Sequence, residues 1–208
     1  MSHDLFTPRS QQDLERLITE YPLPWVVSPG ADVRATLLPL QAVKDAGRMT
    51  GLMGHFARSN PQVQLLQREP RALVLFLGAQ GYISPSWMTD RTRAPTWNYV
   101  SAQFIVDIEF FEKPAEIEAH LRTLVGTMES GRSAAWTIED MGARYRTLSR
   151  GVIGFIAHLR ETRAKFKLGQ DEPDGVFADI MLGLERENSS ELLEWMRTYD
   201  SRRGKPGE

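Results

Sequence analysis

Apolar positions recur along this chain with two spacings, one helical and one of a strand. Leu14, Leu17 and Ile18 share a face within Gln11–Glu20, which predicts an amphipathic helix ended by Pro22 and Pro24. Trp25 to Ser28 reads as a first strand, Pro29-Gly30 as a turn and Ala35 to Leu40 as a second strand. Asp45 to Arg48 reads as a loop. Met49 to Phe56 reads as a third strand whose glycines, Gly51 and Gly54, predict a bulge or a close approach by another backbone or ligand. The run Ala72 to Gly78 has the branching and apolarity of a buried strand. From Thr96 onward Phe104, Val106, Ile108 and Phe110 alternate with Gln103, Asp107 and Glu109, a half-buried antiparallel pattern.

The second half of the chain changes rhythm. Pro114 to Met128 is predicted helical, with Ile117, Leu121, Leu124 and Val125 on one face. His120 has no evident partner and reads as a surface or packing histidine. Ser130 to Ser133 is a loop and Ile138 to Leu148 a further helix. Gly151 to Leu159 is an apolar strand, followed by the alternating basic and apolar segment Lys165 to Asp171. Val176–Glu187 and Ser189–Tyr199 read as closing helices, and Ser201–Glu208 as a polar tail. Short punctuated strands with added helices predict a mainly β, α+β architecture: an antiparallel barrel forming a single domain over residues 1–208, with an N-terminal helix and a C-terminal helical extension.

Composition narrows the function. With 208 residues, 41% hydrophobic and 25% charged, the chain has the profile of a soluble globular protein. Its net charge of -2 gives no overall basic footprint for nucleic acid. The absence of cysteine excludes disulfides, a thiol nucleophile and thiolate-bound metal. His3, His55, His120 and His158 lack ligand spacing. The opening Met1-Ser2-His3-Asp4 has no signal pattern and no apolar run is long enough to cross a membrane, so a cytoplasmic location is expected.

Candidate chemistry gathers between Gly54 and Tyr99. Ser59-Asn60-Pro61 is a helix-start signal, and an anion there would meet orphan N–H groups with Arg58 and His55 just upstream. An ordinary capped helix with a surface arginine explains the same spacing and is the commoner arrangement. Trp87, Trp97 and Tyr99 offer stacking surfaces, with Ser84, Thr96 and Asn98 as hydrogen-bonding neighbours. The same aromatics also suit ordinary core and interface burial. Lys165 and Lys167 on one strand face suit a phosphate or plain solvent.

The segments G-H-F-A-R-S-N-P-Q (Gly54 to Gln62), Y-I-S-P-S-W (Tyr82 to Trp87), P-T-W-N-Y (Pro95 to Tyr99) and K-F-K-L-G-Q (Lys165 to Gln170), in this order, resemble the PaiB family of FMN-binding negative transcriptional regulators. The resemblance runs from about Phe6 to Leu184. It implies an FMN-binding split β-barrel, related in fold to pyridoxamine-phosphate oxidases and flavin reductases. It also implies a homodimer with FMN at the subunit interface, and a regulator's action on DNA. Carried over by position, the implied FMN-side residues are His55, Arg58, Ser59, Asn60, Ser84, Ser86, Trp87, Thr96, Trp97, Asn98, Tyr99, Lys165, Lys167 and Gln170, with no metal site. The chain departs from the family pattern at Leu37, Gln103, Val106, Ile156 and Gly169. Three readings follow. One is a flavin-binding regulator. The second is an FMN-dependent oxidoreductase, with His55, Tyr82 or Tyr99 as proton donor. The third is a split-barrel binding module that has lost its flavin.

Overall fold

The computed structural model describes residues 5–30 and 32–200. The elements follow in the order α1 (Gln11–Glu20), β1 (Trp25–Ser28), β2 (Arg34–Leu37), β3 (Gln41–Asp45), β4 (Arg48–Ala57), α2 (Pro61–Arg68), β5 (Arg71–Ile83), β6 (Thr96–Phe111), α3 (Pro114–Met128), α4 (Arg144–Ser149), β7 (Val152–Lys167), α5 (Asp174–Arg186) and α6 (Ser190–Asp200). Short 3-10 turns lie at Pro85–Trp87 and Ile138–Met141. The strands join one sheet in the order β2-β1-β5-β6-β7-β4-β3. β1 pairs antiparallel with β2 and β5, and β4 pairs antiparallel with β3 and β7. This is the mainly β, antiparallel class with added helices expected from the strand pattern, and it fits the split barrel that the family resemblance implies. No helix among the described residues is long and apolar enough to cross a membrane. The expected tail Ser201–Glu208 lies outside the described residues, as does His3.

The chain divides into two compact units. The first comprises Met1–Tyr21, Phe76–Ala102 and Arg163–Glu208; the second comprises Pro22–Leu75 and Gln103–Thr162. Within the first, Ser10 opens α1 with a reciprocal cap: its Oγ accepts from Asp13 N–H, and Asp13 Oδ2 accepts from Ser10 N–H at 3.0 Å. Leu17 and Ile18 are buried, as the amphipathic pattern requires. α6 buries Trp195, Met196 and Tyr199. The Trp195 indole donates to Glu20 at 2.8 Å, and the Arg16 guanidinium lies 3.9 Å from the Trp195 ring centre. Phe166 of β7 packs edge-on against Trp195 with ring centres 5.6 Å apart. Thus α6, read from sequence as part of an extension, shares a core with α1 and the end of β7.

The second unit is anchored by a fully buried amide. Gln62 donates through Nε2 to Val26 O at 2.9 Å and accepts through Oε1 from Thr36 Oγ1 at 2.6 Å. The bulge expected at the glycines is present, and a Cβ on Gly51 would stand 2.9 Å from the backbone oxygen of Ala157. β3 and β4 shift register between Val43 and Lys44, opposite the Met49–Gly51 segment. A Cβ on Gly54 would stand 2.4 Å from Leu40 Cδ2. Gly154 of β7 pairs with His55, and a Cβ there would lie 2.2 Å from the Phe111 ring.

Several boundaries differ from the sequence reading; β5, expected over Ala72 to Gly78, runs on to Ile83. The second strand ends at Leu37: Leu38 and Leu40 N–H groups still donate to Pro24 O and Pro22 O in the same register, but those prolines have no N–H to donate in return. The chain then pairs again as β3, an edge strand whose Gln-Ala-Val-Lys-Asp sequence carries no apolar alternation. The helix expected over Ile138–Leu148 breaks at Gly142, whose φ of 53° lies in the left-handed region. The late strand runs on through Lys165, Phe166 and Lys167, so β7 takes in the start of the lysine-bearing segment and ends before Leu168.

Because Phe111 occupies the space over Gly154, Gly154→Val is expected to destabilise the fold by about 1–3 kcal/mol. Urea denaturation should show a lowered midpoint with an unchanged slope.

Candidate functional site

In the second unit, β4 carries His55, and the turn after it presents Arg58, Ser59 and Asn60 at the start of α2. Asn60 is the N-cap, its Oδ1 accepting from Gln62 N–H at 2.9 Å, and Pro61 takes the first helical position. Asn60 Nδ2 donates to Thr36 Oγ1 at 3.1 Å, which ties the helix start to β2. Arg58 N–H donates to Gly151 O, and its Nε donates to Arg150 O at 3.0 Å. Its remaining guanidinium edge meets Glu112 at 2.7 Å. Both side chains of that pair are more than a third exposed, so the pair is weak and readily exchanged. Ser59 is exposed beside it.

His55 also has a partner that the sequence did not reveal. Its Nδ1 lies 3.0 Å from Nε2 of His120, and the rings meet edge to face. His120 is buried, 3% exposed, which corrects its reading as a partnerless histidine. The signal was available: Ile117, His120 and Leu124 form the buried i, i+3, i+7 face of α3. Burial depresses the affinity of both imidazoles for a second proton. It takes His120 from 6.5 down to about 4, with the neighbouring His55 adding to the effect. At neutral pH the pair is uncharged, and one N–H bridges the two rings. His120 Nδ1 has no hydrogen-bond partner.

The other candidates lie in the first unit. Ser84 caps the Pro85–Trp87 turn, accepting from Ser86 N–H, and its hydroxyl stands 2.7 Å from Ser86 Oγ. Trp87 packs on α5, where a Cβ on Gly183 would come within 2.3 Å of its ring. Lys167 Nζ donates to Thr96 Oγ1. Trp97 is 52% exposed and Tyr82 47% exposed, their ring centres 6.1 Å apart. Tyr99 is half-buried. Asn98 is buried, with Nδ2 3.5 Å from Met196 Sδ. Lys165 Nζ lies 5.3 Å from the Phe6 ring centre. Gln170 serves its own loop, accepting from Leu168 N–H at 2.7 Å and donating to Phe166 O. Gly169, one of the departures from the family pattern, has φ of 79°, so this turn suits glycine. The structure therefore joins Thr96 to Lys167, Ser84 to Ser86 and Trp97 to Tyr82, while Asn98 and Lys165 meet residues distant in the chain and Gln170 bonds within its own loop. Among the described residues no group of three or more His, Asp or Glu side chains is arranged to hold a metal ion.

Each unit, taken by itself, presents groups with binding chemistry. Arg58 and the start of α2 suit a phosphate. A hydroxyl and an ammonium at Thr96 and Lys167 suit a polyol chain, and the exposed Tyr82–Trp97 pair suits a planar ring.

Comparison with known proteins is consistent with that chemistry. The profile of a family described as "Putative FMN-binding domain" matches residues 2–161. The chain is 27% identical over 149 residues to Protease synthase and sporulation protein PAI 2 of Bacillus subtilis (strain 168), covering 70% of this chain and 71% of that one. Among solved structures, a conserved hypothetical protein from Mycobacterium tuberculosis gives a TM-score of 0.61 at 13% identity, over 83% of this chain and 94% of that one. The FAD and heme binding protein from Mycobacterium smegmatis gives a TM-score of 0.59 at 18% identity, over 85% of this chain and 79% of that one. At these identities the structural likenesses establish the fold.

The histidine pair makes stability depend on pH. The unfolded chain binds protons near pH 6.5 that folded His120 refuses until about pH 4, so stability is lost as pH falls through that window. In urea denaturation the wild type is expected to weaken more steeply across it than His120→Phe, which lacks this titration. Equal slopes would contradict the burial of an uncharged pair.

Proposed function

The chain belongs to the PaiB-type FMN-binding domain family, and from that premise we propose that it is a flavin-binding regulatory protein acting as a homodimer in the cytoplasm. FMN is its cofactor, and when bound it supplies reversible electron transfer at its ring system. The single observation that carries the binding reading is the arrangement at the start of α2. Arg58 stands beside a helix N-terminus, held only by an exposed carboxylate and one carbonyl.

In this reading Arg58 and Ser59 hold the phosphate, and Asn60 keeps the helix start in place. His55, kept neutral by burial beside His120, offers a hydrogen bond without a competing positive charge. Among the candidates of the first unit, Thr96 and Lys167 supply polar contacts, as do Ser84 and Ser86. Trp97 and Tyr99, with Tyr82, flank the ring. Trp87, Asn98, Lys165 and Gln170 support these groups from positions already engaged by the protein. Leu77 at 62% exposure, with Trp97 and Tyr82, leaves large apolar side chains of the first unit in solvent, which favours their burial against a second copy. The regulatory role rests on the family resemblance. An oxidoreductase would use the same cofactor, and bleaching of bound flavin by NADH or NADPH separates the two.

The arrangement predicts opposite effects at two neighbours. Arg58→Ala is expected to weaken FMN binding by roughly tenfold or more, the loss of a charge-assisted hydrogen bond. Glu112→Gln, which frees Arg58, is expected to leave binding intact or tighten it. Titration of flavin fluorescence reads both, and unchanged affinity in Arg58→Ala would remove Arg58 from the site.

A further inference from the structure

We propose that the cavity beneath α3 in the second unit binds a small organic cation, an apolar body carrying one protonated amine. This inference does not rest on the flavin reading, and none of the cavity's lining residues is among the flavin candidates. The cavity has a volume of about 510 Å³ and lies between α3 and residues of β3, β4, β6 and β7. That volume lies in the range of small-molecule sites, which are mostly apolar with a few placed polar groups. Val43, Met53, Phe111 and Ile156 make its apolar walls. One side is fixed by Gln41, which donates from Nε2 to Thr127 Oγ1 at 3.0 Å and so ties β3 to α3.

The polar groups set the charge of the occupant. Glu109 and Glu116 line the cavity, and no lysine or arginine does. Glu109 accepts from His158 Nε2 at 2.7 Å, and Glu116 meets the exposed Lys113 at 3.2 Å. Each carboxylate retains acceptor capacity beyond that partner. His120 also lines the cavity, almost wholly buried, with Nε2 committed to His55 and Nδ1 without a partner. A buried imidazole nitrogen without a partner is rare and marks a place where a polar contact is missing. A phosphate or carboxylate would meet two carboxylates among the lining residues, and the nearby Lys113 is already paired with one of them. An ammonium meets complementary charge at the carboxylates, and its apolar body replaces water on the walls.

The test uses tryptamine as the probe and indole-3-acetate as an anion of similar shape. The full-length protein carries 13C-labelled Met and Ile methyl groups and is followed by NMR. Tryptamine is expected to shift the Met53 and Ile156 methyl signals saturably, with indole-3-acetate at least tenfold weaker. Glu116→Gln, at an exposed position, should weaken tryptamine by about two- to fivefold, the scale of an exposed ion pair. Ala119→Phe, which fills the cavity from α3, should abolish the shifts. Absence of saturable shifts up to millimolar tryptamine would overturn the proposal, as would equal binding of the two probes or persistence of the shifts in Ala119→Phe. Unchanged affinity in Glu116→Gln would overturn the charge assignment.

Discussion

The second unit depends on one buried amide. Gln62 is wholly inaccessible to solvent, and an amide in that position is costly unless its hydrogen bonds are made. They are made to Val26 on β1 and Thr36 on β2, so a single side chain fixes a helix against two strands. Asn60 joins the same network through Thr36, and its Oδ1 caps the helix that Pro61 begins. The run Asn60-Pro61-Gln62 thus has three duties: cap, start and anchor. The position of Arg58, two residues upstream, follows from them. A motif that resembles a cofactor signature is here also the local solution to a folding problem.

The first unit shows the same economy with different residues. Ser10 and Asp13 close the start of α1, and the buried faces of α1 and α6 share Trp195 through Glu20 and Arg16. Lys167 is held by Thr96, which places an ammonium and a hydroxyl together at the beginning of β6. The chain's net charge of -2 says nothing of such local pairings. What matters at a site is the few cations and N–H groups facing one spot.

Elements with strong periodicity were legible from the residues alone. α1, β1 and α3 have the bounds their patterns predict, because caps, prolines and apolar spacing all agree there. β3 was not legible. It is a short edge strand without alternation, and only its ladder to β4 defines it. Gly142 broke a helix that composition alone would continue, since its left-handed φ is a property of the folded loop. Of the candidate residues, the motifs located the segments but not the partners. Asn98 reads as a hydrogen-bonding neighbour for a ligand in sequence and is buried against Met196, while His120 reads as without an evident partner and is bonded to His55. Contacts between residues far apart in the chain carry no short-range signal.

The central claim is that this chain, with its departures at Leu37, Gln103 and Gly169, binds FMN as its family does. The most direct measurement is the visible absorption spectrum of the purified full-length protein after incubation with FMN and removal of the excess. The expected result is a retained flavin spectrum, at about one FMN per chain, lost on denaturation. A protein that emerges colourless while remaining folded would contradict the account and bring forward the reading of a split barrel without its flavin.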